Sequence, residues 1–294
     1  METIIEKLSE KYQPITEKDV KTAKNYVALR ERTAKSLSSR LNDVLQDAAE
    51  QITEICYKYN VDPKTFTLSP EYNEKMFEEV ATILDALEDE IIDLTLEYAT
   101  DCTSDDKRRS SLLAWILTLG RNNNNLRQTL ESRIWVFSRD IEALVASMRF
   151  AKKNVTEAVS RIKTGLHTVY VTPEVLAAIK NKANIKATYI RSGGIKHGNF
   201  GNSNSEANNI ERFGEITVQM AWMKNQVIDF QENGAIGYLQ LRGSNFACTI
   251  CDDETGFHTN IDEIYKKPLV HCNCHCYRVP VYSKEEKNDS VYTS

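Results

Sequence analysis

The sequence predicts a mainly α protein with a long-helix N-terminal domain and a smaller C-terminal α+β module. Three observations predict it. Apolar residues recur at spacings of three and four through most of the first 165 residues. Past that point the chain turns rich in Gly, Ser and Asn and carries short alternating runs. Five of the seven cysteines and three of the five histidines then gather between Cys248 and Cys276.

Pro14 ends a short opening helix. Thr16 caps a long one, with Asp19 placed for a capping box. Its stripe runs Leu37, Leu41, Val44, Leu45, Ala48, Ile52, Ile55 and Tyr59, and Pro63 stops it. Ser69-Pro70 opens the next helix as a cap followed by proline at the first helical position. A third helix begins after Ser104 and closes at Gly120, and Asn122–Asn125 forms a polar loop. A fourth long helix carries the stripe from Leu126 through Met148 to Ile162.

Thr172-Pro173 caps a short helix reaching about Ala183. The run IKATYIR reads as a strand, and residues 192–209 read as an exposed loop. A helix from about Ile210 to Gln231 follows, with Phe213, Ile216, Met220, Met223 and Val227 as its stripe. GYLQLR and YRVPVY read as strands entering and leaving the cysteine cluster, and Pro280 marks the second as an edge strand. The domains predicted are 1–168, a long-helix bundle; 169–286, the α+β module; and 287–294, a polar tail.

A net charge of −5 gives no overall basic field toward nucleic acid, and no apolar run reaches the roughly 20 residues needed to span a bilayer. Charge divides unevenly along the helices. Residues 71–106 carry thirteen acidic side chains and one basic; residues 107–163 carry twelve basic and four acidic. Two solvated faces that attract when helices pack explain this; a basic face that meets DNA is the sharper alternative.

Cys248 and Cys251 form a C-x-x-C, and nineteen residues later His271 and Cys274 form an H-x-x-C, with Cys276 two positions on. Zinc takes four such ligands in a tetrahedron, and two knuckles leave no open coordination position. The expectation is a structural zinc site held by Cys248, Cys251, His271 and Cys274. Cys276 is the alternative ligand, because residues 274 and 276 of an extended segment share a side. His258 and His275 are expected at the surface, and Cys56 and Cys102 as small apolar side chains. The acidic run Asp252-Asp253-Glu254 before Gly256 suits a turn. A closed zinc site offers no activated water, and neither a phosphate loop nor a nucleophile elbow occurs, so no enzymatic activity is expected.

The order of these motifs resembles the minor head proteins of tailed bacteriophages, of the phage Mu protein F type, over roughly residues 205–283. Cys248-Thr249-Ile250-Cys251 matches that family's first knuckle without its proline, and Asp253-Glu254-Thr255-Gly256 its acidic-glycine turn. His271-Cys272-Asn273-Cys274-His275-Cys276 matches the second element, with Cys272 in place of proline and His275 in place of arginine. Val279-Pro280-Val281 matches the trailing strand, and Arg212-Phe213-Gly214-Glu215 is similar to the start of the preceding helix. The resemblance implies a structural protein of the virion head, present in several copies and associated with the portal or the major capsid protein. It implies roles in head assembly in the host cytoplasm and in DNA packaging or ejection; no membrane partner is expected, from the lack of a spanning apolar run. The competing expectation is a zinc-ribbon nucleic-acid-binding protein that uses the basic 107–163 helices.

Overall fold

The computed structural model describes residues 2–120, 124–169, 172–181, 205–243, 249–266 and 275–284. The chain is mainly helical with a small three-stranded antiparallel sheet. It forms two compact units, and neither is a continuous stretch of sequence. One comprises Met1–Lys35, Ala99–Leu113 and Ile216–Ser294; the other comprises Ser36–Tyr98 and Ala114–Glu215. The boundary read from the sequence is at 168.

Helix α1 spans Glu2–Lys11 and α2 spans Glu17–Lys58. The expected capping box starts α2: the Asp19 carboxylate accepts from the Thr16 backbone N–H at 2.8 Å, and the Thr16 hydroxyl accepts from the Asp19 N–H at 3.3 Å. Helix α3 spans Glu74–Thr100, so it begins later than Ser69-Pro70. The side chain of Asn73 accepts from the Met76 N–H at 3.0 Å and caps it. Residues 69–73 are a turn, held where the Tyr72 hydroxyl accepts from the Asp62 N–H at 2.9 Å. Helix α4 is Asp106–Leu117.

The expected fourth long helix is two helices, α5 Leu126–Phe150 and α6 Val155–Gly165. The break is a complete stop and restart. The Lys153 N–H bonds the Met148 carbonyl, the Lys152 N–H bonds the Arg149 carbonyl, and Lys152 is left-handed at φ 56°. Asn154 and Glu157 then form a new capping box. A lysine stands where glycine usually marks such an end, so the periodic stripe ran through it unbroken.

Helix α7 is Pro173–Lys180, with the Thr172 hydroxyl accepting from the Val175 N–H. The expected strand IKATYIR lies outside the described residues. Helix α8 is Glu206–Glu232, one turn longer at its start than the sequence suggests. In the second unit α5 packs against α6 and α7. Gly214 of α8 sits so close to α2 that a Cβ would approach Leu41 Cδ1 to 2.7 Å.

The sheet belongs to the first unit. Its strands are β1 Gly237–Leu241, β2 Gly256–His258 and β3 Tyr277–Val281, in the order β2-β1-β3. Pro280 is on an edge strand, as expected. Sequence reading assigned no strand to Gly256–His258; three residues are too few to show alternation, and pairing with β1 creates the strand.

One face of the sheet carries Leu239, Leu241, Tyr277, Val279 and Val281, packed with Leu8, Ala23 and Val27 of α1 and α2. The opposite face carries Tyr238, packed with Met223, Val227 and Phe230 of α8 and with Ile261 and Ile264. The N-terminal helices thus supply half the core of the C-terminal sheet, which is why this unit is discontinuous. Burying one such apolar side chain contributes about 1.5–3 kcal/mol.

The basic stretch is largely committed to ion pairs. In the first unit Arg108 bridges Asp229 and Glu232. In the second, Arg127 pairs with Glu88 and Asp89, Arg133 with Glu206, Arg161 with Glu174, and Lys163 with Glu50 and Asp47. Arg139 and Lys153 pair within their own helices with Glu142 and Glu157. Among the described residues no helix is long and apolar enough to cross a membrane.

Candidate functional site

The site to examine is the end of the sheet where β1 leaves and β3 enters. Its geometry follows from strand register. Leu241 pairs with Tyr277, so the next antiparallel step sets Arg242 opposite Cys276 and Gly243 opposite His275. The strands stay close past the last formal pair: a Cβ on Gly243 would lie 1.8 Å from the His275 carbonyl oxygen.

Alternation then sorts the side chains. His275 falls on the face toward α2, where its Nδ1 lies 2.6 Å from Glu31. It is 44% exposed, in keeping with the surface position expected of it. Cys276 falls on the other face and is buried at 4%. Arg278, two residues on, shares that face; its Nε donates to Gln240 Oε1 at 3.2 Å, and both residues are buried.

Cys251 arrives from the other direction. It lies in a short helix α9, Thr249–Asp253, and is buried at 3%. The adjacent Asp252 forms an ion pair with Arg242, which fastens α9 to the end of β1. The Arg242 guanidinium is held above its ordinary pKa first by the hydrogen bond to Asp252; the charges of Asp252, Cys251 and Cys276 add to it. Arg242 thus stands opposite Cys276 across the strand pair and holds the residue that follows Cys251. Sequence reading missed Arg242 because nothing local distinguishes it; its position one step past β1 and opposite Cys276 is the signal.

The acidic run before Gly256 does more than turn the chain. The Thr255 hydroxyl donates to the Cys251 carbonyl at 2.8 Å, and Gly256 takes φ 149° to enter β2. His258 stacks on Tyr238 with ring centroids 4.8 Å apart. A short helix α10, Glu263–Lys266, follows β2.

Of the predicted ligands, Cys251 and the alternative Cys276 are described. Cys248, His271 and Cys274 lie outside the described residues. Among the described residues no group of three or more His, Cys, Asp or Glu converges. The two that are described suit a thiophilic cation in one respect: both thiols are withdrawn from solvent.

Cys56 is buried and Cys102 half-buried. Burial pushes each thiol up to about 12, with the Glu142 charge adding for Cys56, which disfavours the thiolate at neutral pH. Comparisons with protein-family models, curated proteins and solved structures found no match to the chain.

Proposed function

We propose that the chain is a bacteriophage minor head protein without enzymatic activity. In this reading it docks on the portal or the major capsid protein during head morphogenesis and acts in DNA packaging or ejection. The observation that carries the reading is the ordered set of soft ligands, C-x-x-C then H-x-x-C-x-C, between two short strands. In support, those strands are antiparallel neighbours, and Cys251 and Cys276 are both buried at the same sheet end. Cys248, Cys251, His271 and Cys274 would hold a structural zinc, with Cys276 as the alternative ligand. Bound zinc supplies a cross-link that couples metal binding to folding of a small domain.

The test is co-expression with the phage's own portal and capsid proteins, followed by quantification of the chain and its zinc in isolated heads. Portal-dependent incorporation at a few copies, with about one zinc per chain, is expected. Exclusion from heads rejects the minor-head reading even if zinc is present.

The nucleic-acid reading draws less support. Arg108 and Lys153, two residues of the basic stretch, are engaged by carboxylates, and Arg109 donates to the Thr103 carbonyl.

A further inference from the structure

Between Lys21 and Lys35, helix α2 buries Ala23, Val27, Arg30 and Ala34. The opposite positions Lys21, Lys24, Ala28, Arg32 and Lys35 are exposed. At about 100° per residue the four cations fall within an arc of about 80°, over a length of about 21 Å. Glu31, the one acidic residue of that stretch, is partly buried and lies against His275. Among the described residues Lys21, Arg32 and Lys35 form no ion pair, and the Lys24 ammonium lies 5.3 Å from the centre of the Tyr277 ring.

Helix α3 carries the opposite charge, in the other unit. It buries Met76, Val80, Leu87 and Ile91 and exposes Glu74, Glu78, Asp85 and Asp93. These four carboxylates lie within an arc of about 100° and over a length of about 28 Å. Among the described residues none of them forms an ion pair. Lys75 is the one cation within α3. Among the described residues, the basic 107–163 stretch reaches α3 only through Arg127, at Glu88 and Asp89.

The two stripes share a period. Lys21 and Arg32 are 11 positions apart, as are Lys24 and Lys35, and as are Glu74 and Asp85. Residues at that interval stand nearly above one another on a helix, about 16 Å apart. The exposed residues between them include small ones on both helices, Asn25 and Ala28 on α2 and Thr82 and Ala86 on α3. Small side chains let two helix backbones approach to about 8–10 Å.

We propose that this face of α2 is a docking surface for a second copy of the chain, which presents its α3 carboxylates to it. Charge complementarity selects the occupant: one sequence carries two unneutralised stripes of opposite sign, like period and similar length. A nucleic-acid backbone would satisfy the cations and leave the α3 carboxylates without a partner. Contact between unlike faces is heterologous, so a pair of copies keeps one stripe of each sign open to further copies. Exposed ion pairs are individually weak, each strengthening an interface by up to about fivefold, so the association is reversible and needs several pairs together. The inference depends on neither the zinc reading nor the minor-head reading.

The test is sedimentation equilibrium of the purified full chain, natural and with charges reversed. The natural chain should self-associate as its concentration rises. Raising salt from about 0.1 M to about 1 M shortens the screening length from about 10 Å to about 3 Å, and should weaken association at least about tenfold. One variant carries Lys21→Glu, Lys24→Glu, Arg32→Glu and Lys35→Glu; the other carries Glu74→Lys, Glu78→Lys, Asp85→Lys and Asp93→Lys. Each alone should associate at least about tenfold more weakly than the natural chain. Mixing the two should restore association, because one then has two acidic stripes and the other two basic ones. All eight positions are exposed, and restoration on mixing also shows that both variants fold. A mixture that fails to associate overturns the proposal, and so do single variants that associate as well as the natural chain. A natural chain that stays monomeric at low salt overturns it too. If that monomer binds double-stranded DNA and the α2 variant does not, the face belongs to nucleic acid instead.

Discussion

Asp140, in the middle of α5, accepts a hydrogen bond from the backbone N–H of Glu206 at 2.7 Å, across 66 positions of sequence. Asp140 is 1% exposed. Glu206 is the first residue of α8, so a buried carboxylate from one helix satisfies an amide that the start of another leaves over. Glu206 also pairs with Arg133 at 2.6 Å and accepts from Asn209 at 2.9 Å.

Replacing Asp140 with Ala should therefore fray the first turn of α8. The loss is that of a helix cap, about 1–2 kcal/mol, because the Glu206 amide stays buried without this acceptor. Asp140→Asn should cost less, since its carbonyl oxygen still accepts. Urea denaturation of both variants checks the ranking; equal midpoints would show that the contact contributes nothing.

Gly243→Ala and Gly214→Ala separate two kinds of crowding. At 243 the obstacle is the backbone carbonyl of His275 at 1.8 Å, which cannot move without parting β1 from β3. At 214 it is the end of Leu41 at 2.7 Å, a side chain that can rotate, and alanine also recovers up to about 1 kcal/mol of helix propensity. Gly243→Ala should cost about 2–3 kcal/mol and Gly214→Ala about 1 or less. Thermal melts of the two variants decide it, and a milder Gly243→Ala would mean that the strand ends are not held together.

Arg108→Ala should be more damaging than Lys58→Ala. Arg108 is 20% exposed and joins Asp229, Glu232 and the Asn225 side chain, whereas Lys58 is 61% exposed and pairs with Glu79. Burial raises the Asp229 carboxyl, and Arg108 opposes that shift, so removing the guanidinium leaves a carboxylate poorly solvated. The expected losses are about 1–3 kcal/mol for Arg108 and under about 1 kcal/mol for Lys58. Chemical denaturation in low and high salt measures both.

His167 adds a pH dependence. Its ring lies 2.5 Å from Glu211, and that hydrogen bond raises its pKa above the ordinary 6.5, against a smaller opposing effect of burial. A group whose folded pKa is raised stabilises fully below its unfolded pKa and loses that contribution as pH rises through the folded value. The stability difference between the natural chain and His167→Gln should thus be largest below pH 6.5 and shrink above it. Part of the ring is open to solvent, so the change should stay within about 1 kcal/mol. Denaturation midpoints at several pH values test the sign, and a difference that grows with rising pH would reverse it.

In the zinc reading proposed above, metal removal should reach the N-terminus. Leu8, Ala23 and Val27 pack on the sheet face formed by Leu239, Val279 and Val281. Chelation, or Cys251→Ser, should loosen the sheet and expose α1 to protease together with residues 237–281. Limited proteolysis with mass mapping checks it; protection of α1 after the sheet is cleaved would show that α1 does not depend on the sheet.

The sequence by itself determined the helices with strong local chemistry. The Thr16–Asp19 box, the period of α2 and α3, Pro280 on an edge strand and the two strands around the cysteine cluster all follow from residues close in sequence. The break between α5 and α6 was legible in Asn154 and Glu157, and was hidden because Lys152 adopts the left-handed conformation that glycine usually supplies. Tertiary structure alone decided the rest. Strand β2 exists because β1 offers a pairing edge, α8 starts at Glu206 under a carboxylate from α5, and α1 belongs with a sheet more than 200 residues away. The cysteine spacing suggested a metal, but the burial of Cys276 on the sheet face away from α2 was not legible in it. That is fixed by register against β1, and register is a property of the paired strands rather than of either segment.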